Sequence, residues 1–238
     1  MIRANARSRL READLQLVLI VLAEGSATRR ADLERRLARE GPDALLDDPA
    51  LAERLLAVRT VLAPSAPLFV YAVLRRHLLD AGFDDAELAD YLAALVLDFG
   101  RGERARQVRD GDPARHDYLV DLLALLERSE GEGRFLVLAH LGNYALWLAG
   151  LFPDRIAARQ IRRGGPDVSY YDQVGRRGYA DASGHAMAEV AGMVGVFAAA
   201  GERFPARRST LNRMSDRVFF PQVVTADRVL RELGREAA

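Results

Sequence analysis

Apolar residues recur every three or four positions from one end of the chain to the other, and this periodicity constrains the fold most. Leu88, Tyr91, Leu92, Leu95 and Phe99 are typical, because successive members lie on one stripe of an α-helix. Similar stripes occupy Leu15–Leu22, Leu51–Leu62 and Leu119–Leu126. No stretch alternates apolar and polar residues as a half-buried strand does. The sequence therefore predicts an all-α protein, a multi-helix bundle of about ten helices.

Capping residues predict where some of these helices begin and end. Asp84 is a predicted N-cap, and Gly100 lies just past the end of the same helix. Asp112, followed by proline, predicts the start of the next helix. The one run that resembles a strand, residues 218–224, is interrupted by Pro221.

A charged segment at 101–115 separates two sets of helices. It contains Gly102 and Gly111 and carries no apolar stripe, which is typical of a linker or a long loop. We expect two loosely defined halves, an N-terminal helical region at 1–105 and a C-terminal helical region at 112–238. A single domain is the alternative.

The composition excludes several kinds of chemistry. All 34 basic residues are arginine, and the chain contains no cysteine. Without lysine there is no Schiff-base or P-loop lysine, and without cysteine there is no thiol nucleophile or disulfide. The formal net charge is zero, so no overall field draws the protein to nucleic acid or to an anionic membrane.

Two apolar segments bear on the location of the protein. Basic residues precede an apolar run at 15–23, as in a signal peptide, but Glu12 and Asp14 favour an amphipathic first helix. The segment 135–153 is uncharged for 19 residues, yet it contains polar groups such as His140. Since these are costly inside a bilayer, we expect a buried central helix and a cytoplasmic protein.

The central apolar helix carries one polar stripe. His140, Asn143, Tyr144 and Trp147 lie at i, i+3, i+4 and i+7. Buried polar groups require hydrogen-bond partners, which a ligand or the protein itself can supply. One hypothesis is a pocket wall, with His140 and Tyr144 as catalytic candidates and with Asn143 and Trp147 binding a ligand. The other is an interior network that fixes the packing of the bundle.

The next segment, residues 154–179, is rich in arginine and tyrosine. It contains six arginines and three aspartates. Guanidinium groups beside aromatic rings suit an anionic or aromatic ligand, such as a phosphate ester or a nucleotide, or a protein interface. A solvated helix face paired with nearby acids is the alternative. The candidate ligand-binding residues are Arg155, Arg159, Arg162, Tyr170, Tyr171, Arg176 and Tyr179.

Two glycines within the same segment predict a close helix crossing. Gly175 and Gly178 weaken a helix by about 1 kcal/mol each relative to alanine. Close approach of another backbone is the usual compensation. We therefore expect this helix to cross a neighbour tightly, with Tyr171 and Tyr179 beside the crossing.

Metal-binding and DNA-binding patterns are weak. The four histidines show no Glu-x-x-His spacing, so no metal ligand set is predicted and the cofactor is left undetermined. The first sixty residues suggest a helix-turn-helix, with Ser26 or Thr28 capping the second helix and a third helix after Pro42. Asp43 and Asp47 in that third region oppose phosphate, which argues against nucleic acid.

The sequence thus favours a soluble all-helical binding or interaction protein. Its partner would be another protein or a small anionic or aromatic ligand, held by the second half of the chain. The alternative is a helical-pocket enzyme that uses His140 as a general acid/base or as a metal or haem ligand. A DNA-binding regulator is a third and weaker hypothesis, and the motifs leave a homodimer open and indicate no membrane partner.

Overall fold

The computed structural model of the protein describes residues 1–58 and 63–219. Within these ranges the chain forms thirteen α-helices and no strand, which confirms the predicted all-α bundle. The strand-like run 218–224 lies mostly outside the described residues, and its first two residues belong to a helical turn, Ser215–Phe219.

The chain divides into two compact units. The N-terminal unit is Ile2–Asp98, and the C-terminal unit is Phe99–Ala238 together with Met1. The N-terminal unit contains α1 (Glu12–Ala23), α2 (Ala27–Glu40), α3 (Asp43–Leu46), α4 (Leu51–Ala57), α5 (Ala66–Asp80) and α6 (Ala86–Phe99), whose last residue begins the C-terminal unit. That the predicted halves, 1–105 and 112–238, are independent domains stays a prediction.

A buried arginine and two neighbouring aspartates shape the start of α6. Asp85, and not the predicted Asp84, caps this helix, because its Oδ1 accepts a hydrogen bond of 2.9 Å from the N–H of Leu88. Asp84 instead accepts a hydrogen bond of 2.6 Å from Arg75, whose guanidinium is buried. A buried guanidinium requires carboxylate partners, and this requirement explains the difference of one residue.

The helix-turn-helix hypothesis is met only in part by α1–α3. Of the two predicted caps, Ser26 and Thr28, Ser26 is the one that caps α2, since its side chain accepts a hydrogen bond from the N–H of Arg29. The third helix, α3, has only four residues. Asp43 forms an ion pair of 2.8 Å with Arg7, so the acidic residues of this region serve intramolecular contacts.

The C-terminal unit is built around one helix. Its described helices are α7 (Leu119–Glu127), α8 (Gly131–Leu151), α9 (Pro153–Arg163), α10 (Val168–Ser183), α11 (Ala186–Ala191), α12 (Val194–Gly201) and α13 (Phe204–Met214). Helix α8 is buried over most of its length and contacts α7, α9, α10, α11 and α13, while α12 packs on α10.

The predicted helix start at Asp112 is wrong, because α7 begins at Leu119. Asp112 instead stabilises a turn, where its Oδ1 accepts a hydrogen bond of 3.0 Å from the N–H of Ala114. The loop then returns, and the N–H of His116 donates to the carbonyl of Arg106 at 2.8 Å. A long-range backbone contact thus replaces the first turns of the predicted helix.

The predicted tight crossing is confirmed between α8 and α10. A Cβ atom added to Gly178 would lie 2.9 Å from the amide nitrogen of Gly142 and 3.0 Å from the carbonyl oxygen of Leu138. A Cβ added to Gly175 would lie 2.9 Å from the methyl group of Ala145. Only glycine permits the two backbones to approach this closely.

No single helix among the described residues is both long and apolar enough to cross a bilayer. Within residues 1–58 and 63–219, the pair α8 and α9 reaches that length and apolar composition when taken together, with a bend of 91° between the two helices.

Candidate functional site

The polar stripe of α8 lies within the core of the C-terminal unit. The hydroxyl of Tyr179, on α10, donates a hydrogen bond of 2.8 Å to the Oδ1 of Asn143. Tyr179 is fully buried, and its ring packs against Phe197 and Phe204 at 5.9 and 6.1 Å between centroids. The pair therefore joins α8 to α10 at the glycine crossing and corresponds to the interior network considered from the sequence.

His140 is enclosed in the same core. It is 3% exposed, and its ring lies 5.3 Å from that of Phe99 and 6.1 Å from that of Tyr144. A ring N–H donates to the backbone carbonyl of Ala105, while Nε2 has no hydrogen-bond partner among the described residues. Burial lowers the pKa of His140 to about 3, so the imidazole is uncharged at neutral pH.

This position bears on the enzyme and metal hypotheses. An uncharged histidine cannot donate a proton as imidazolium, and general acid catalysis here would first require opening of the core. Among the described residues, no group of three or more His, Cys, Asp or Glu side chains is placed to hold a metal ion. A catalytic or metal-ligand role for His140 stays a hypothesis without support from the geometry.

A cleft of about 410 Å³ opens beside the stripe, between the beginning of α7, the middle of α8 and the α9–α10 connection. We call it the tyrosine cleft. It is lined by Asp117, Tyr118, Leu119, Val120, Tyr144, Leu148, Arg159, Arg163, Gly165, Pro166, Tyr170 and Tyr171. Its floor is the best buried part, since Tyr144, Leu148 and Tyr171 are each 5% exposed or less.

The cleft brings together four of the eleven residues that the sequence singled out. Tyr144, Arg159, Tyr170 and Tyr171 line it. The others do not: Asn143, Tyr179 and His140 lie in the core, Trp147 packs at 4.9 Å on Phe152, and Arg155, Arg162 and Arg176 are exposed.

Arg163 joins Arg159 in the cleft, where the sequence predicted Arg162. The two cleft arginines lie at i and i+4 on α9, one above the other on the same helix face. Arg163, four residues after Arg159, thus lines the cleft, whereas Arg162, three residues after Arg159, does not. The spacing of the arginines was compatible with both arrangements.

Within the part of the chain that the structure describes, the arginines of the cleft lack carboxylate partners. Among the described residues, neither Arg159 nor Arg163 forms an ion pair, whereas Asp117 is paired with Arg106 at 2.8 Å. The guanidinium of Arg159 lies over the ring of Tyr118, 4.3 Å from its centroid. A cation held on an aromatic face keeps its N–H groups available to an anion.

The buried tyrosines supply neutral polar groups. The hydroxyl of Tyr144 donates a hydrogen bond of 2.8 Å to the carbonyl of Asp117, which fixes the loop before α7. Burial raises the pKa of Tyr144 and also that of Tyr171, although nearby arginines act in the opposite direction. Both phenols are therefore uncharged at neutral pH, and the two guanidinium groups dominate the electrostatics of the cleft.

Sequence reasoning missed the wall formed by Asp117, Tyr118, Leu119 and Val120. The sequence marked Leu119 only as the first member of an apolar stripe, and no local pattern marks the other three. They reach the cleft through the return of the loop before α7. The one signal available from the sequence was Tyr118 itself, an aromatic residue just after the charged segment 101–115.

Comparison with known proteins identifies no relative of this chain. No protein-family model matches the chain, and no significant match was found among curated proteins or among solved structures.

Proposed function

We propose that the protein binds a small organic anion in the tyrosine cleft. The observation that carries the proposal is the pair Arg159 and Arg163, which lies beside a largely apolar and aromatic cavity. Among the described residues, neither arginine has a carboxylate partner. Arg159 is half-buried, and arginines withdrawn from solvent are normally neutralised by acids of the same protein. Arg163 is exposed at the mouth of the cleft and adds a second charge there. Here an anionic ligand would supply the missing charge.

The size and lining of the cleft support a small-molecule ligand. Its volume, about 410 Å³, falls within the range of ligand pockets, which is roughly 300–1,000 Å³. Leu119, Leu148 and the faces of the tyrosine rings offer apolar surface to the body of a ligand. The guanidinium groups offer directional hydrogen bonds to its charged end.

Binding is better supported than catalysis. The residues that line the cleft include no histidine and no serine, and their one carboxylate, Asp117, is ion-paired with Arg106. A nucleophile with an adjacent base, or an acid/base pair, is therefore lacking among them.

The fluorescence of Trp147 provides a direct test. It is the only tryptophan of the chain, and its ring lies 6.2 Å from that of Tyr144 on the cleft floor. We expect titration with benzoate or phenyl phosphate to change this emission, whereas benzyl alcohol, which lacks the charge, binds much more weakly. Calorimetry with the same compounds gives the stoichiometry, expected to be one.

Two neighbouring arginines give a matched pair of variants. Arg163→Gln removes one charge-assisted contact and should weaken binding about tenfold or more. Arg162→Gln removes the same charge from an exposed position on the same helix and should leave affinity unchanged. Both variants should keep their stability within about 0.5 kcal/mol. Absence of binding by either anion, or equal effects of the two substitutions, would show that the proposed site is wrong.

A further inference from the structure

The charge of the tyrosine cleft indicates which kind of anion fits best. Two guanidinium groups, those of Arg159 and Arg163, are adjacent on one face of α9. A carboxylate would neutralise only one of them. A phosphomonoester carries a charge of about −1.5 to −2 near pH 7 and offers three acceptor oxygens. On the basis of the proposed function, we propose that the ligand is a phosphomonoester that carries a single aromatic or similarly flat apolar group.

The exposure of the lining residues orients such a ligand. Arg163 is exposed and Arg159 is half-buried, whereas Tyr144, Leu148 and Tyr171 form a floor that is closed to solvent. A doubly charged group would lose too much hydration on that floor. The phosphate therefore lies at the mouth on the arginines, and the ring lies inside, against Leu148 and the two tyrosines.

The hydrogen-bonding groups of the cleft agree with this orientation. Each guanidinium presents a planar fork of donors, which matches phosphate oxygens well. Arg159 is held on the ring of Tyr118 at 4.3 Å, so its position is set before the ligand arrives. The hydroxyl of Tyr144 is already engaged with the carbonyl of Asp117 at 2.8 Å, which leaves the ring and not the hydroxyl of this residue to contact the ligand.

A comparison of four probes on the full-length protein tests the inference. We expect phenyl phosphate to bind about tenfold more tightly than benzoate, which has the same ring and one charge. Inorganic phosphate should bind weakly because it leaves the apolar floor empty, and benzyl alcohol should bind weakly because it leaves the arginines unpaired. Arg163→Gln should remove most of the preference for phenyl phosphate over benzoate, and Arg162→Gln should retain it.

The pH dependence of binding separates a doubly charged from a singly charged ligand. The second proton of a phosphomonoester dissociates at about pH 6, so affinity for phenyl phosphate should rise several-fold between about pH 5.5 and 7.5. Affinity for benzoate should stay constant. The titratable and charged groups that line the cleft are Asp117, Arg159, Arg163 and the tyrosines 118, 144, 170 and 171, and none of them is a histidine. Arg106 is paired with Asp117, and Arg155, outside the lining, acts electrostatically on Tyr144 and Tyr171.

The outcomes separate this inference from the proposed function. If benzoate binds as tightly as phenyl phosphate, or if phenyl phosphate binds independently of pH, the inference is wrong while the anion site stands. If neither compound binds, or if Arg163→Gln leaves the affinity for both compounds unchanged, the inference and the proposed function are both wrong. Tight binding of inorganic phosphate alone would overturn the role given to the apolar floor.

Discussion

The polar stripe of α8 and the arginine face of α9 are close in sequence but lie in opposite environments. On α8, Asn143 finds a partner in Tyr179 across a helix crossing that excludes solvent. On α9, Arg159 and Arg163 border an open cleft and have no acidic partner among the described residues. A polar group that the protein satisfies itself stabilises the fold, whereas a charge left unsatisfied at a cavity is available to a ligand.

The largest effect should come from the crossing that supports the stripe. Gly178→Ala places a methyl group about 3 Å from backbone atoms of Gly142 and Leu138, which cannot move aside as a side chain can. We expect a loss of about 3 kcal/mol in the free energy of unfolding, measured with urea. Gly133→Ala is the control, because its Cβ would meet nothing within 4 Å, and it should be neutral or stabilising by up to about 1 kcal/mol. Equal stability of the two variants would refute the tight crossing.

The next effect concerns His140 and pH. Its pKa is about 3 in the folded protein and about 6.5 when unfolded, so between these values the unfolded chain binds more protons. Stability is therefore retained above about pH 6.5 and falls as the pH is lowered towards 3. From pH 7 to 5 this histidine alone should remove about 2 kcal/mol.

Comparison with His140→Gln isolates this contribution from that of the carboxylates. Glutamine keeps an N–H that can reach the carbonyl of Ala105 but does not titrate. Urea unfolding at both pH values should show that the unchanged protein loses about 2 kcal/mol more than the variant. Identical losses would mean that His140 is not buried as described.

The smallest of these effects is expected from Tyr179→Phe. The substitution keeps the ring that packs against Phe197 but removes the hydroxyl that donates to Asn143. The free energy of unfolding should fall by about 1–2 kcal/mol, while affinity for phenyl phosphate stays unchanged. Tyr118→Phe, which alters a half-exposed hydroxyl, should affect stability by less than about 0.5 kcal/mol. A loss of affinity for phenyl phosphate in Tyr179→Phe would show that the polar stripe of α8 and the arginine face of α9 do not have the separate roles given to them here.

Much of the fold could be predicted because its signals are local. Helical spacing predicted the all-α class, and two glycines predicted the α8–α10 crossing. Ser26, with Thr28 as the alternative, predicted the start of α2. The errors occurred where a distant contact outweighed a local preference. Asp84 binds Arg75 and does not cap α6, and Asp112 stabilises a turn in a loop that returns to Arg106.

The candidate site was predictable only in part. The density of arginine and tyrosine indicated a segment, residues 154–179, that contributes Arg159, Arg163, Tyr170 and Tyr171 to the lining of the cleft. Helical spacing placed Arg159 on one stripe with Arg155 and Arg162. Whether an arginine meets a carboxylate, a ring or a cavity depends on residues far away in the sequence. For Arg159 the decisive neighbour is Tyr118, which arrives through a loop without any recognisable pattern.

The sequence by itself thus determined the helices and the faces that they bury, since periodicity and capping act within a few residues. It also determined that one pair of helices must cross at glycine. Tertiary structure alone decided that Asn143 would be satisfied by Tyr179 and that Arg159 and Arg163 would face an open cleft. The physical reason is that a polar side chain is satisfied or left free by its neighbours in space, and these are set by the packing of the whole unit.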